Sequence, residues 1–444
     1  MRSRNGAVDR PGRLTRLLAA TVIVTALSAG TPPAPARAAA HGDDGAVTAW
    51  ARQEARRLAT VDPDAPLTDL RHLNRALGDA TIVGLGEATH GSAELTGLKH
   101  RVLRLLVTEL GYRSIAWEED WSLGLQINEY LRTGTGDLAA LVNRMSTAWR
   151  SAETVDVLRW LRDWNVHHED VTFVGTEAYA TRPMLYDLVE AYIAERAPER
   201  LAEARTHLAE LTPDDDDMGA YVQWYWFGVP DKAPYVRHAH DLYDLVAAVA
   251  HRPGDREHEL YLQHTRQIVG FYEQFADANP FAFRDVHAAR NLRWWQRFAG
   301  GKVAYWAANG HTLDGPALRL VQPEYPALEF AGVGSFLRDW YGRRYLSVGF
   351  TLDRGDVVSE GRVVTMPPAA ADWLEAPFAP VAAAQFTLDL RREAPRPVRR
   401  WLDAPTRTRA IPEGGHGSYL IGGTPRQWFD LVVHRQVSSP VTAL

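Results

Sequence analysis

A short segment near residue 90 places a carboxylate and an imidazole close enough to act together. Gly84–Glu94 has the sequence GLGEATHGSAE, in which Glu87 and His90 lie three residues apart. Gly86 allows the chain to turn from a strand into a helix, and side chains three apart meet on one face if the turn is helical. A carboxylate beside an imidazole fixes its tautomer and raises its basicity. The pattern favours a His90 that takes a proton from water, although a helix-capping acid and a surface histidine would also explain it.

Three further predicted strands lead into the same kinds of side chain. The four predicted strands are Ala80–Gly84, Tyr112–Trp117, Val171–Gly175 and Lys302–Ala307. Glu118 follows the second strand, Glu177 follows the third, and Asn309 and His311 follow the fourth. Ligands of open α/β sheets bind beyond the carboxyl ends of the strands. Because unpaired carboxylates are costly next to a packed sheet, these strand ends together predict a shared site.

Three charged residues outside the strand ends are also candidates. Lys99 comes nine residues after His90, on the polar side of a predicted helix, and could lean back towards the site. Arg284 and Asp285 open the segment RDVHAARN. An ion pair that anchors a helix explains Arg284 and Asp285 as well as a role in the site does.

An aromatic segment and an acidic segment lie in a long helical region. The aromatic segment, YVQWYWF, supplies Tyr221, Trp224 and Trp226 either to a core or to a wall that stacks on a large ligand. The acidic segment, Asp214–Asp217, lacks the alternating ligand spacing of a calcium loop. A solvated loop is therefore favoured for it, and no metal ligand is assigned.

Alternating strands and helices predict an α/β fold with a layered, mainly parallel sheet flanked by helices. Ala93–Leu110 is predicted to be an amphipathic helix that ends at Gly111. Further strands are expected at Leu346–Thr351 and Trp428–Val433. The region from roughly 184 to 298 is too long for a crossover connection. It predicts a helical subdomain inserted between the third and fourth strands.

The N-terminus has the layout of a secretory signal peptide. Met1–Arg16 carries five arginines and one acid, and Leu17–Gly30 is apolar but too short to span a bilayer. Ala36-Arg37-Ala38 provides an A-x-A cleavage site. We therefore expect residues 1–38 to be removed and residues 39–444 to form the secreted domain, with an uncleaved membrane anchor as the alternative.

Composition excludes several classes of function. Residues 39–444 hold 43 basic and 54 acidic residues, which argues against nucleic acid or an anionic membrane as a partner. The absence of cysteine excludes disulfides, thiolate metal ligands and a thiol nucleophile. G-x-S-x-G, HExxH, P-loop and dinucleotide-binding motifs are also missing. No cofactor is predicted, and the oligomeric state is left open.

These motifs resemble the erythromycin esterase family, which includes proteins described as succinoglycan-biosynthesis-like. The resemblance covers nearly the whole chain after residue 38. The family's G-E-x-T-H-G motif matches Gly86–Gly91, and its strand ending in Glu-x-Asp-Trp matches Glu118–Trp121. Further matching segments are Trp149–Glu153, Trp160–Asn165, Arg284–Asn291 and Gly342–Phe350.

The resemblance implies a hydrolase that activates water for ester cleavage without a metal. It assigns the activating pair to Glu87 and His90, and the strand-end glutamate to Glu118. Lys99 stands where the family often has arginine. Lysine keeps the positive charge but cannot make the paired hydrogen bonds of a guanidinium. The family's H-N-x-H segment is Ala308–His311 here, so the first histidine is absent and His311 remains.

We therefore expect His90 to act as a general base on a water that attacks an ester or lactone carbonyl. His311 and Lys99 would stabilise the oxyanion or position the carbonyl, and Glu118 would align the water. The substrate-binding residues are expected to be Trp149, Arg284, Asp285, Tyr221, Trp224 and Trp226. Macrolides, environmental lactones and esters on extracellular polysaccharide are the candidate substrates.

Two other interpretations remain open. A metal-dependent hydrolase could use Glu87, His90, Glu177 and His311 as nitrogen and oxygen ligands. A non-catalytic protein could instead bind a sugar, a macrolide or an iron-containing cofactor such as haem.

Overall fold

The computed structural model describes residues 44–323, 325–412, 415 and 417–444, which fall into two compact units. Residues 44–178 and 279–444 form the first, called the sheet unit below, and residues 179–278 form the second, called the helical unit. The predicted signal peptide lies outside the described residues. None of the described helices is both long and apolar enough to cross a bilayer.

The strands form two sheets. In chain order they are β1 (Arg56–Arg57), β2 (Ile82–Glu87), β3 (Tyr112–Asp120), β4 (Thr172–Glu177), β5 (Lys302–Trp306), β6 (Leu318–Gln322), β7 (Tyr325–Phe330), β8 (Tyr345–Ser359), β9 (Arg362–Met366), β10 (Gln385–Asp389), β11 (Thr408–Arg409), β12 (Tyr419–Ile421) and β13 (Leu431–Ser438). The large sheet has the order β1-β10-β13-β8-β2-β5-β3-β4, with β9 paired to β8. The run from β13 to β4 is parallel throughout, whereas β1, β9 and β10 pair antiparallel. The small sheet, β11-β12-β6-β7, is antiparallel.

Helices surround the large sheet and build the helical unit. In chain order they are α1 (Asp44–Glu54), α2 (Asn74–Gly78), α3 (Ala93–Leu110), α4 (Trp121–Thr133), α5 (Leu138–Asn143), α6 (Ala152–His167), α7 (Pro183–Arg196), α8 (Leu201–Leu211), α9 (Met218–Gln223), α10 (Ala233–Ala247), α11 (Arg256–Ala276), α12 (Pro280–Ala299), α13 (Asn309–Thr312), α14 (Val333–Tyr341), α15 (Arg396–Leu402) and α16 (Pro425–Trp428). Helices α7 to α11 belong to the helical unit. The predicted fold class, a mainly parallel α/β sheet with a helical insertion between the third and fourth strands, is confirmed.

The ends of the elements follow from local sequence where a cap is present. Helix α3 has its predicted bounds, and Gly111 ends it at a φ of 75°, a conformation that glycine adopts without steric cost. The strand predicted at Trp428–Val433 begins only at Leu431, because Trp428 ends a short helix that Thr424 caps. Leu346–Thr351 is the first half of a longer strand, β8, whose second half pairs with β9.

The helical unit ends earlier than the sequence predicted. The predicted insertion ran from roughly 184 to 298, whereas the compact unit covers 179–278. Helix α12, which is capped by the Asn279 side chain, belongs to the sheet unit and packs against β4 and α14. Helical periodicity continues on both sides of Asn279, but Asn279 followed by Pro280 is the local signal for a new helix start.

The core of the sheet unit lies on both faces of the parallel strands. All six residues of β2 are buried, as expected for a parallel strand covered on two sides. Trp117 of β3 and Trp306 of β5 are register partners, and their rings stack with centroids 4.4 Å apart. These two rings form an aromatic layer near the carboxyl ends of the strands.

Gly124 is required by the close approach of α4 to β4. A Cβ atom on Gly124 would lie 2.4 Å from the backbone nitrogen of Gly175. We expect Gly124→Ala to lower the free energy of unfolding by about 3 kcal/mol, the upper end for overpacking, because backbone atoms cannot rotate away. Gly45→Ala on α1 is the control, since nothing lies within 4 Å of its Cβ position. Urea denaturation measures both, and equal stability of the two variants would contradict the expectation.

Candidate active site

Glu87 holds His90 at the end of β2. Oε1 of Glu87 lies 2.7 Å from Nδ1 of His90, and both side chains are largely buried. Because a carboxylate can only accept, Nδ1 carries the proton and Nε2 becomes the basic nitrogen. The predicted pairing is therefore present in the structure.

Lys99 completes this group from the first turns of α3. Its Nζ donates to Oε2 of Glu87 at 2.7 Å and to the carbonyl of Ala307 at 3.3 Å. The side chain is fully buried. Burial lowers the pKa of Lys99 to about 8, against the opposing effect of the Glu87 charge. Lys99 leans back towards the site as predicted and its ammonium group donates to Glu87, while its predicted action on a substrate carbonyl stays a prediction.

Aromatic rings enclose the Glu87–His90–Lys99 group. Nζ of Lys99 lies 4.2 Å from the centroid of the Trp306 ring. The Trp149 ring meets the His90 ring edge-on, with centroids 4.6 Å apart, and its Nε1 donates to the carbonyl of Glu118 at 2.9 Å. Trp149 thus fixes the position of His90, and its predicted contact with substrate stays a prediction.

A second charged group is centred on Arg284 of α12. Its guanidinium donates to Oε1 of Glu118 at 2.7 Å and to Oε2 of Glu177 at 2.9 Å. The other oxygen of Glu118 accepts from the backbone nitrogen of Ala308 at 2.8 Å. Burial would raise the pKa of Glu118, but the charges of His311 and Arg284 hold it well below its usual range. Burial raises the pKa of Glu177 despite Arg284.

His311 lies between two carboxylates. Its Nδ1 is 2.7 Å from Oδ1 of Asp285, and its Nε2 is 3.2 Å from Oε1 of Glu118. Burial would lower the pKa of His311, but Asp285 and Glu118 raise it to about 10. His311 is therefore an imidazolium at neutral pH. Arg284 contacts the strand-end glutamates and Asp285 orients His311, and the predicted contact of both residues with substrate stays a prediction.

The two groups are neighbours across adjacent strands. The positive charge that His90 carries once it is protonated lowers the pKa of Glu118, and the charge of Glu118 raises the pKa of Lys99. Four strands that are neighbours in the order β2-β5-β3-β4 supply these side chains. Glu87 ends β2, Glu118 lies on β3 and Glu177 ends β4, while His311 lies on the short helix after β5. The structure thus brings together the side chains that the strand ends predicted.

The four side chains considered as metal ligands do not converge. Among the described residues, no three ligand atoms of Glu87, His90, Glu177 and His311 lie within 4.8 Å of one another. The carboxylates face Lys99 and Arg284 instead. The chemistry that this geometry provides is proton transfer at His90 beside a buried cation, His311.

A depression beside His90 is lined partly by residues that the sequence did not single out. It is bordered by Thr89, His90, Gly91, Thr147, Ala148, Arg150, Val358, Ser359, Glu360, Ile411, Pro412 and Val441. Val358–Glu360 form the end of the β8–β9 hairpin, and Val358 donates to the carbonyl of Gly91. The turn residue Glu360 has a φ of 49°, which is uncommon outside glycine. The Glu360-Gly361 pair was the sequence signal for this hairpin.

The predicted aromatic wall lies in the helical unit. Tyr221 donates to the carbonyl of Leu211, Trp224 meets Tyr235 edge-on, and Trp226 stacks on Phe227. Asp217 of the acidic segment caps α9. The aromatic segment therefore contributes to the packing of this unit, and its contact with a ligand stays a prediction.

The raised pKa of His311 predicts a loss of stability with rising pH. The folded chain keeps a proton on His311 up to about pH 10, whereas an unfolded histidine loses it near 6.5. Stability from His311 is therefore complete below pH 6.5 and falls by about 1.4 kcal/mol per pH unit above it. The pKa of Lys99 is lowered to about 8, so Lys99 makes the free energy of unfolding rise as the pH increases above 8.

The measurement is urea denaturation between pH 7 and 8, where His311 changes the free energy of unfolding with pH and Lys99 does not. His311→Gln should remove the slope. His287→Gln on α12 is the control, because burial lowers the pKa of His287 to about 4 and leaves it neutral in this range. A parent slope that persists in His311→Gln would show that other groups cause it.

Comparisons with known proteins place the chain in a family. The family model for erythromycin esterase matches residues 107–437. Erythromycin esterase type II of Escherichia coli is 27% identical over 129 residues, which are 29% of this chain and 30% of that protein. The chain thus spans less than a third of that relative. YbfO of Bacillus subtilis (strain 168), named as a hydrolase, is 19% identical over 351 residues, which are 72% of this chain and 77% of that protein.

Solved structures share the fold. A Bacillus cereus protein is similar with a TM-score of 0.79 and 25% identity, over 90% of this chain and 99% of that one. A succinoglycan biosynthesis protein has a TM-score of 0.77 and 25% identity, over 91% and 100%. A histidine-to-asparagine mutant of the erythromycin esterase EreC in its open conformation has a TM-score of 0.66 and 16% identity, over 87% and 98%. The match to the family model covers most of the chain, which therefore belongs to the erythromycin esterase family.

Proposed function

We propose that the protein is an exported hydrolase that cleaves a carboxylic ester or lactone with a water activated by His90 and without a metal. The observation that carries the proposal is the group Glu87–His90–Lys99, joined by two contacts of 2.7 Å. A buried carboxylate that orients an imidazole is the arrangement of a general base. Family membership supports a hydrolase of this kind.

The proposed reaction begins at Nε2 of His90. This nitrogen takes a proton from water while the water oxygen bonds to the carbonyl carbon of the substrate. The imidazolium that forms is stabilised by Glu87 and by the nearby charge of Glu118. The same proton then passes to the leaving oxygen as the ester bond breaks, so the products are an acid and an alcohol, or a hydroxy acid from a lactone.

His311 is the proposed donor to the developing oxyanion. Its contact with Asp285 is short, at 2.7 Å, whereas its contact with Glu118 is longer, at 3.2 Å. The longer contact is the one that a substrate oxygen can replace at Nε2, while Asp285 keeps the ring in place. Lys99 is a positioning residue in this scheme because its ammonium group is bonded to Glu87.

The proposed substrates are bulky esters or lactones. The depression beside His90 combines the charged residues Arg150 and Glu360 with the apolar residues Ile411, Pro412 and Val441. A guanidinium next to apolar surface suits an acylated or lactone-containing molecule with a polar substituent. Together with the predicted export, this favours environmental lactones or acylated sugars beside macrolides.

The test is a substrate screen on purified residues 39–444. Parent and His90→Ala are incubated with macrolides, simple lactones and acylated sugars in ¹⁸O-labelled water, with and without EDTA, and analysed by mass spectrometry. The proposal expects one labelled oxygen in the carboxylic acid, or in the carboxyl group of the hydroxy acid from a lactone, and none in the alcohol. It also expects loss of turnover in His90→Ala and no effect of EDTA. Loss of turnover with EDTA would replace it by a metal-dependent mechanism. Saturable binding without turnover on all three classes would make the protein a binder.

A further inference from the structure

We propose that the helical unit contains a binding site for a divalent transition-metal ion of the zinc type, formed by His207, His238 and Asp241. One ligand atom from each of these residues lies within 4.8 Å of the other two. None of the three belongs to the group around His90, and the proposed hydrolysis does not use them. Among the described residues, this is the set of histidine and acidic side chains whose ligand atoms converge.

The two imidazoles face each other through the same kind of nitrogen. Nδ1 of His207 lies 2.9 Å from Nδ1 of His238, and Oδ2 of Asp241 lies 3.9 Å from Nδ1 of His207. The two rings are inclined by 56° with centroids 5.2 Å apart, so they converge on a point and do not stack. Without an ion, one Nδ1 must carry a proton that the other accepts.

A tetrahedral ion fits this arrangement after small side-chain rotations. Zn–N bonds of about 2.0–2.1 Å place two ligand nitrogens roughly 3.3 Å apart. The Nδ1 atoms need to separate by about 0.4 Å and the Asp241 oxygen to approach by a similar amount, which rotamer adjustment allows. Two imidazoles and one carboxylate leave a fourth position for water.

The helices hold the three residues at the edge of a packed face. His238 and Asp241 are three apart on α10, so they share one side of that helix. Helix α8, which supplies His207, packs against α10. The His207 side chain is 13% exposed and that of Asp241 is 56% exposed, so two rings are held by packing while an ion can enter from solvent.

The donor set favours a transition-metal cation. Glu203 lies one turn before His207 on α8, on the same face, and is paired with Arg200. The chemistry of the donor set, imidazole nitrogen with carboxylate oxygen, selects Zn²⁺, Co²⁺, Ni²⁺ or Cu²⁺ over Mg²⁺ and Ca²⁺. An ion bound here would tie α8 to α10 and so stabilise the helical unit against local opening.

The experiment is titration of tag-free residues 39–444 with ZnCl₂, followed by calorimetry, and with CoCl₂, followed by visible absorption. We expect one ion per chain, the absorption of a tetrahedral Co²⁺ site, and a melting temperature that rises with Zn²⁺ concentration. His207→Ala and His238→Ala should each weaken binding at least tenfold. Parent affinity in either variant, or no binding up to millimolar Zn²⁺, would overturn the proposal.

Matched variants keep the result interpretable. His240→Ala removes another histidine of α10, whose Nε2 contacts Glu273, and should bind Zn²⁺ like the parent. His90→Ala should also keep the site, which separates this proposal from any ion bound in the sheet unit. His238→Gln is measured beside His238→Ala, and both should melt near the parent when no metal is present. If His240→Ala weakens Zn²⁺ binding as much as His207→Ala and His238→Ala do, the ion binds non-specifically to surface histidines and the proposed site is rejected.

Discussion

Replacing His90 with alanine is expected to lower kcat/KM about 10³-fold on any ester or lactone that the parent chain cleaves. General-base catalysis contributes about 10²–10⁴ to a rate, and the structure provides His90 with the partner that such a base needs, Glu87 at 2.7 Å. Loss of the base should appear mainly in kcat, because His90 acts on the water. The measurement is steady-state kinetics on the substrate with the highest turnover.

Two further variants distinguish the base from its supports. Glu87→Gln keeps the shape but not the charge, so it should lower kcat by a smaller factor and leave Lys99 buried without its carboxylate partner. His168→Ala, which removes an exposed imidazole stacked on Trp164, is the control and should act like the parent. Full activity of His90→Ala would reject His90 as the base.

Much of the site was predictable because it follows from the order of strands. A parallel sheet brings the carboxyl ends of its strands to one edge, and each of four strands carries its polar residue at that end. Glu87, Glu118, Glu177 and His311 could therefore be placed together from local sequence alone. The spacing of Glu87 and His90 also predicted their contact, which needs only a single turn of chain.

What the sequence could not predict depends on contacts between distant segments. Arg284 meets Glu177 across 107 residues, and Ala308 meets Glu118 across 190. No local pattern distinguishes an arginine that binds substrate from one that neutralises two buried glutamates. The contact of Lys99 with Glu87 was missed for the same reason, since the ammonium group is buried against Trp306 by tertiary packing.

Arg284→Met is expected to lower the free energy of unfolding by about 3–5 kcal/mol. Removing one member of a buried ion pair leaves its partners charged in a medium that solvates them poorly. Arg284 donates to both Glu118 and Glu177, which are buried, so each loses a charged hydrogen-bond donor. Arg132→Met, which breaks an exposed pair with Glu129, should change the free energy of unfolding far less, because solvent screens that pair. Urea denaturation at pH 7 compares the two.

The pH dependence of Arg284→Met identifies buried charge as the cause. Burial already raises the pKa of Glu177, and loss of Arg284 should raise it further. A carboxyl whose folded pKa exceeds its unfolded value destabilises the fold as pH rises, so the variant should lose more stability at pH 8 than at pH 5. Adding Glu177→Gln removes the charge that Arg284 no longer meets, and the double variant should be more stable than Arg284→Met alone. A double variant that is less stable than Arg284→Met would contradict this explanation, because removing an unpaired charge at Glu177 cannot lower the free energy of unfolding. The guanidinium would then contribute by packing and by its hydrogen bond to Glu118.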